Sequence, residues 1–93
     1  MTAREMATRT YIEVARGKFV NADMVTSIET QQGTIFISDG KHSQGFQPEA
    51  IPREGAAAHY MVELMRELGR PATEPGLRII TLLQGQIVSR YLQ

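Results

Sequence analysis

Apolar and polar residues alternate through TYIEVA, residues 10–15, and this alternation with a richness in β-formers predicts a strand. Arg16-Gly17-Lys18 then reads as a turn with Gly17 supplying positive φ, and Phe19-Val20 begins the return strand. Asn21-Ala22-Asp23 is a polar corner, because Asn and Asp side chains bond to their own backbone. MVTSIET, residues 24–30, predicts another strand with Met24, Thr26 and Ile28 on one face. Beyond a turn at Gln31-Gln32-Gly33, TIFIS at 34–38 has the strongest strand pattern, Ile35 and Ile37 opposing Phe36. Asp39-Gly40 predicts a type I′ hairpin turn. SQGFQ, residues 43–47, holds Gly45 and three polar residues and reads as a weak edge strand.

The period changes from Glu54. Ala57, Met61, Leu64, Met65 and Leu68 fall on one helical stripe, with Glu63, Arg66 and Glu67 off it and facing water. Pro48 and Pro52 precede this helix, and Gly69 followed by Pro71 is placed to end it. Met61 and Met65 are read as core. Thr73 would cap a second helix with Glu74 near its positive end. Residues 74–92 are assigned to that helix because the apolar segment is long for a strand, and Ile80, Leu83, Ile87 and Tyr91 fit a stripe. Its β-branched residues and Gly85 leave two strands as the alternative. As one helix it would be apolar well beyond a single face, and a second subunit would supply the missing cover. The expected architecture is α+β: an antiparallel β-meander of four to five strands over 10–47, followed by two α-helices at 54–69 and 74–92. Residues 1–9 are polar, lack periodicity and read as an arm before a single domain, 10–93.

Size sharpens the expectation of self-association. A 93-residue chain makes one domain. A chain of this size buries only roughly 60–65% of its unfolded surface, and such chains often add disulfides, metal or a partner. There is no Cys, and His42 and His59 are too few and too far apart in sequence for a zinc site. Lys plus Arg equals Asp plus Glu at ten each, with four basic residues in 1–20 and a mildly acidic middle. No polycationic run implies steering toward DNA or an anionic membrane. No apolar run approaches the roughly 18 residues of a membrane span. MTAREMATRT lacks an apolar signal-peptide core, so a cytoplasmic setting in a bacterium or phage is expected.

Candidate chemistry is thin. Asn21 and Asp23 are too few ligands for a calcium or magnesium cage and suit an Asx-type turn. Asp39 and His42 are the only base and acid within reach of one another, beside Lys41. They sit in one hairpin without a nucleophile, which favours a solvated turn. Arg16 and Lys18 could grip a phosphate, but neither GxxxxGK[ST] nor GxGxxG occurs. His59 reads as surface or interface packing. Ser27, Ser38, Ser43 and Ser89 have no visible base and no nucleophile-elbow motif. No catalytic residue, metal ligand or cofactor is assigned, and the chain is read as a non-enzyme.

YIEVARGKFVNADMVTSI, residues 11–28, resembles the opening of the RemA family of bacterial matrix-gene regulators, and TIFISDGKHSQGFQPEAI, residues 34–51, looks like that family's later strand and hairpin. The hairpin and acidic corner also resemble FlbD-type small flagellar proteins. The resemblance covers roughly half of the chain and rests mostly on turn and strand motifs. RemA-like proteins are implied to be ring-forming DNA-binding regulators. Here Met24 stands where that family places an Arg, and Gln31-Gln32-Gly33 replaces an intervening helix with paired arginines. The DNA-contacting residues therefore do not carry over, and what the resemblance still implies is a small sheet that self-associates.

The expected function is non-catalytic protein binding or regulation by a homo-oligomer. Its contacts with itself and an unidentified protein would use Ser43, Gly45 and Phe46 on the edge strand, and Ile79, Leu82, Ile87, Val88 and Tyr91 on the second helix. One alternative is nucleic-acid binding through Arg4, Arg9, Arg16 and Lys18. Another is a phage or plasmid accessory protein that blocks a host complex.

Overall fold

Short alternating segments do build most of this protein, but they pair differently from a simple meander. The computed structural model describes residues 8–48 and 56–92. Its strands are β1 (Thr8–Ala15), β2 (Lys18–Asn21), β3 (Ser27–Gln31), β4 (Thr34–Ser38), β5 (Ser43–Gly45), β6 (Gly76–Leu83) and β7 (Gln86–Leu92), with one helix, α1 (Ala56–Gly69), between β5 and β6. The α+β class holds. The strands divide into a four-stranded sheet ordered β2-β1-β6-β7 and a three-stranded sheet ordered β3-β4-β5.

The single antiparallel meander is corrected by one pairing. β1 runs parallel to β6, with Ile12 beside Ile80, so strands nearly seventy residues apart in sequence are neighbours. This pairing encloses the first strand between β2 and β6 and leaves β3, β4 and β5 to form their own antiparallel sheet. β1 also begins earlier than expected. Thr8 and Arg9 pair with Gly76 and Leu77, and the Thr8 hydroxyl donates to the Glu74 carbonyl at 2.7 Å. Residues 1–7 lie outside the described residues.

The second helix is also corrected. Residues 76–92 form the β6–β7 hairpin, in register from Leu77 opposite Leu92 to Leu83 opposite Gln86. Gln84 and Gly85 take φ of 53° and 76°, the two left-handed residues of a type I′ turn, which reverses the chain where a helix would continue. Backbone groups of β6 are satisfied on both sides, by β1 and β7, and the β-branched residues suit that pleated setting. Thr73 caps no helix; its N–H donates to the Tyr91 hydroxyl at 3.2 Å.

Local details follow the residues. Gln32 and Gly33 repeat the left-handed pair, φ 51° and 80°, between β3 and β4. At Asp39-Gly40 only Gly40 has positive φ, so the expected type I′ turn is instead a four-residue loop joining Ser38 to Ser43. Met24 and Thr26 precede β3 rather than sharing its face; Met24 ends a short 3₁₀ turn, residues 22–24. Gly69 ends α1 without a left-handed φ, and the Arg70 N–H reaches back to the Glu67 carbonyl at 3.2 Å.

One core joins the three layers. Ile12, Val14, Ile80 and Leu82 come from one face of the four-stranded sheet, Ile35, Ile37 and Phe46 from the second sheet and its exit, and Ala57, Tyr60 and Leu64 from α1. α1 packs against β3 and β4 on one side and β6 and β7 on the other. Met61 and Leu68 pack at the margin of this core as expected, but Met65 is exposed and Tyr60 takes a buried place that the stripe did not include. His59 is exposed, its ring edge-on to Tyr60 at 5.3 Å. Among the described residues no helix is long and apolar enough to cross a membrane.

Candidate interaction surface

The four-stranded sheet has a second face, and the pleat determines what it shows. With Ile12, Ile80 and Leu82 turned into the core, Arg9, Tyr11 and Glu13 of β1 and Leu77, Ile79 and Leu83 of β6 point the other way. Phe19 lies opposite Glu13, and Val88, Arg90 and Leu92 of β7 lie opposite Thr81, Ile79 and Leu77. This face is therefore apolar at its centre. Ile79 is buried beneath its neighbours, yet Phe19, Leu83 and Leu92 remain 45%, 50% and 51% exposed. A shallow depression of about 330 Å³ lies among Arg9, Tyr11, Phe19, Leu77 and Ile79. Charges of both signs, Arg9, Glu13 and Arg90, are interspersed on it.

A second groove, about 450 Å³, runs between the Asn21 corner, β3 and α1, lined by Asp23, Val25, Ile28, Met65 and Leu68 among others. The Asn21 side-chain oxygen is committed to the corner's backbone. Asn21 Oδ1 accepts the Asp23 N–H at 2.9 Å, and the Val25 N–H donates to the Ala22 carbonyl at 3.2 Å. Asn21 and Asp23 thus build an Asx-type bend. The Asp39 tip behaves similarly: its Oδ1 accepts the N–H groups of His42 and Lys41 at 2.7 and 2.9 Å. Those bonds, His42's foremost, hold the Asp39 carboxyl below the ordinary 3.8. The His42 ring is mostly exposed, 3.7 Å from the carboxylate.

The residues expected to contact a partner separate into three groups. Phe46, Ile79 and Leu82 are buried by this chain itself. Phe46 is enclosed because the chain crosses there from one sheet to the other: its N–H donates to the Ile35 carbonyl at 2.8 Å, and the next N–H, of Gln47, to the Val14 carbonyl at 2.6 Å. Ile87 and Tyr91 are half-buried on the core side of β7, and Val88 is half-buried on the outer face. Ser43 is exposed and Gly45 half-buried on β5, an edge of the three-stranded sheet. Of the cations, Arg16 and Lys18 flank the β1–β2 turn, whereas Arg9 is at the far end of β1, roughly 23 Å away at about 3.3 Å per residue. Arg4 lies outside the described residues.

The buried Arg78 was not anticipated. It is 3% exposed on the core side of β6. Its guanidinium donates to the Glu67 and Arg70 carbonyls at 2.8 and 2.9 Å, to Ser89 Oγ at 3.0 Å and to Glu67 Oε2 at 3.3 Å. Ser89 Oγ in turn donates to Glu67 Oε2. The Tyr91 ring sits 6.0 Å from the Arg78 guanidinium carbon, and hydrogen bonds with Thr73, its side chain foremost and then its N–H, hold the phenol pKa below the usual 10.0. Arg78 thus supplies donors to the open carbonyls at the end of α1 and ties that end to the hairpin. No buried side-chain polar atom among the described residues lacks a partner, so this network is a structural pin. The one trace of it in the sequence is an arginine set within the apolar run LRIITLL, residues 77–83.

No family model, curated protein or solved structure matches the chain. The RemA-type and FlbD-type resemblance rests on the motifs quoted above.

Proposed function

We propose that this chain is a non-catalytic protein-binding or regulatory protein that acts as a homo-oligomer and presents the outer face of its four-stranded sheet to a second protein. The observation that carries the reading is the placement of Phe19, Leu83 and Leu92, each about half exposed, on one face that also holds a shallow apolar depression lined by Phe19, Leu77 and Ile79. Covering these three side chains would contribute about 2–4.5 kcal/mol, taking half of the roughly 1.5–3 kcal/mol for complete burial of each. Association itself costs an estimated 4–15 kcal/mol, so a stable partner must also cover Tyr11, Leu77 and Val88. The sheet permits this. Its strands of eight, four, eight and seven residues, at about 3.3 Å per residue and about 4.8 Å apart, offer a projected area of roughly 430 Å², about half of one partner's share of a standard interface before side-chain relief is added.

The test compares wild type with the double variant Phe19→Asp, Leu92→Ser. Both positions are half exposed, so the variant is expected to melt within a few degrees of wild type while losing the protein cross-linked to wild type in a host lysate. A wild-type chain that stays monomeric through the micromolar range and cross-links to nothing, or a well-folded variant that keeps the same cross-links, contradicts the reading.

A further inference from the structure

The outer edge of β7 is set out for pairing, and the turn before it determines which groups it offers. Leu83 and Gln86 flank the two-residue Gln84-Gly85 turn. In such a hairpin the flanking pair exchanges both backbone hydrogen bonds, and bonded and non-bonded pairs then alternate. Gln86, Val88, Arg90 and Leu92 therefore direct N–H and C=O toward β6, while Ile87, Ser89 and Tyr91 direct theirs outward. β7 ends the sheet order, and among the described residues no backbone group bonds to that outer side. Other edges are shorter or blunted. β2 has four residues including Lys18 and pairs across a register shift, β5 has three residues, and β3 has five including Glu29. β7 has seven residues, without Pro, Lys or a shift in register.

The geometry points to a second copy of this chain on that edge, with the two β7 strands antiparallel and Ser89 facing Ser89 across a two-fold axis. This deepens the homo-oligomer reading and rests on it. The register follows from parity, because a bonded pair across the seam needs outward groups from both strands. Centring on Ser89 pairs Ser89 with Ser89 and joins each Ile87 to Tyr91 of the second copy. That makes three bonded pairs of two hydrogen bonds, about six in all. Centring on Val88 or Arg90 leaves two such pairs within the strands, and the latter sets two guanidinium groups opposite one another. In the Ser89 register each Val88 lies opposite Arg90 of the second copy, at a non-bonded pair where side chains are closest. The symmetry places both outer faces on the same side of one eight-stranded sheet.

Amide hydrogen exchange tests the seam without any substitution. Where the chain is oligomeric, Ile87, Ser89 and Tyr91 amides exchange at least about tenfold more slowly than in dilute monomer, while Val88 and Arg90 stay protected at both concentrations by β6. The register is tested by Val88→Glu and Val88→Lys, which set opposite and like charges against Arg90. V88E should self-associate at least about fourfold more tightly than V88K, taking the low end of cross-strand pair energies over two symmetric pairs. An oligomer whose three outward amides remain fast, or in which V88E and V88K weaken association equally, overturns this seam and leaves the homo-oligomer reading standing. A monomer at every concentration overturns both. Protection of the three amides that arises only when another protein is added assigns the edge to a foreign strand and overturns the second-copy proposal.

Discussion

Arg78→Met is the most informative single perturbation of the fold. Methionine keeps the apolar stem but removes every donor. The Arg70 carbonyl loses its donor at 2.9 Å, and the Glu67 carbonyl and Ser89 hydroxyl each lose one of two partners, at 2.8 and 3.0 Å. The Glu67 carboxylate, 15% exposed, keeps Ser89 and a 3.6 Å contact with the exposed Arg70. Removing one partner of a fully buried pair costs about 3–5 kcal/mol. The residual Arg70 contact and the partial solvation of the helix end lower this to about 2–4 kcal/mol. At roughly 4–8 °C per kcal/mol for a domain of this size, Tm should fall by at least about 8 °C. Urea unfolding followed by circular dichroism gives the free energy. Adding Glu67→Gln should be less than additive, with a coupling of about 1–2 kcal/mol. A cost below about 0.5 kcal/mol, or strict additivity, would refute the view that Arg78 joins helix to hairpin.

Phe46→Ala should destabilise by about 3–5 kcal/mol in the same assay, because its side chain is wholly enclosed where the chain passes between sheets; a cost under about 1 kcal/mol would place it outside the core. Gly85→Ala should cost about 1–2 kcal/mol, since φ of 76° is left-handed and the nearest atom to an added Cβ, the Tyr60 hydroxyl at 3.6 Å, is no obstacle; an unchanged midpoint would exclude the type I′ turn. The Asp39 carboxyl is depressed by the N–H groups of His42 and Lys41, so its contribution to the loop is present above pH 3.8 and fades as pH falls through the lower folded value. An NMR titration of the His42 and Lys41 amide shifts should show that midpoint, and one at or above 3.8 would contradict the bonding.

The parts of the fold legible in sequence were those written in local alternation. β1, β2 and β4 follow short patterned segments, and Gly17 and Gly33 mark turns with φ of 77° and 80°. The hairpin of β6 and β7 was hidden because both of its faces are apolar. Leu77 and Ile79 serve the outer face and Ile80 and Leu82 the core, so period two is lost in a continuous apolar run. Gln84-Gly85 repeats the Gln32-Gly33 turn and was the available signal. The β1–β6 pairing depends on contacts between distant segments, which no local pattern encodes. For the candidate surface, the apolar surplus of the last segment was visible, but its location was not. Ile79 and Leu82 are internal, while Phe19 and Leu92 on neighbouring strands supply the exposed area. Phe46, in a weak strand, looked available and is instead sealed in by the crossing from one sheet to the other.

Sedimentation velocity across the micromolar range tests the central claim most directly. A mass rising with concentration to twice the 10.4 kDa of one chain is the predicted result, and a constant 10.4 kDa would contradict it.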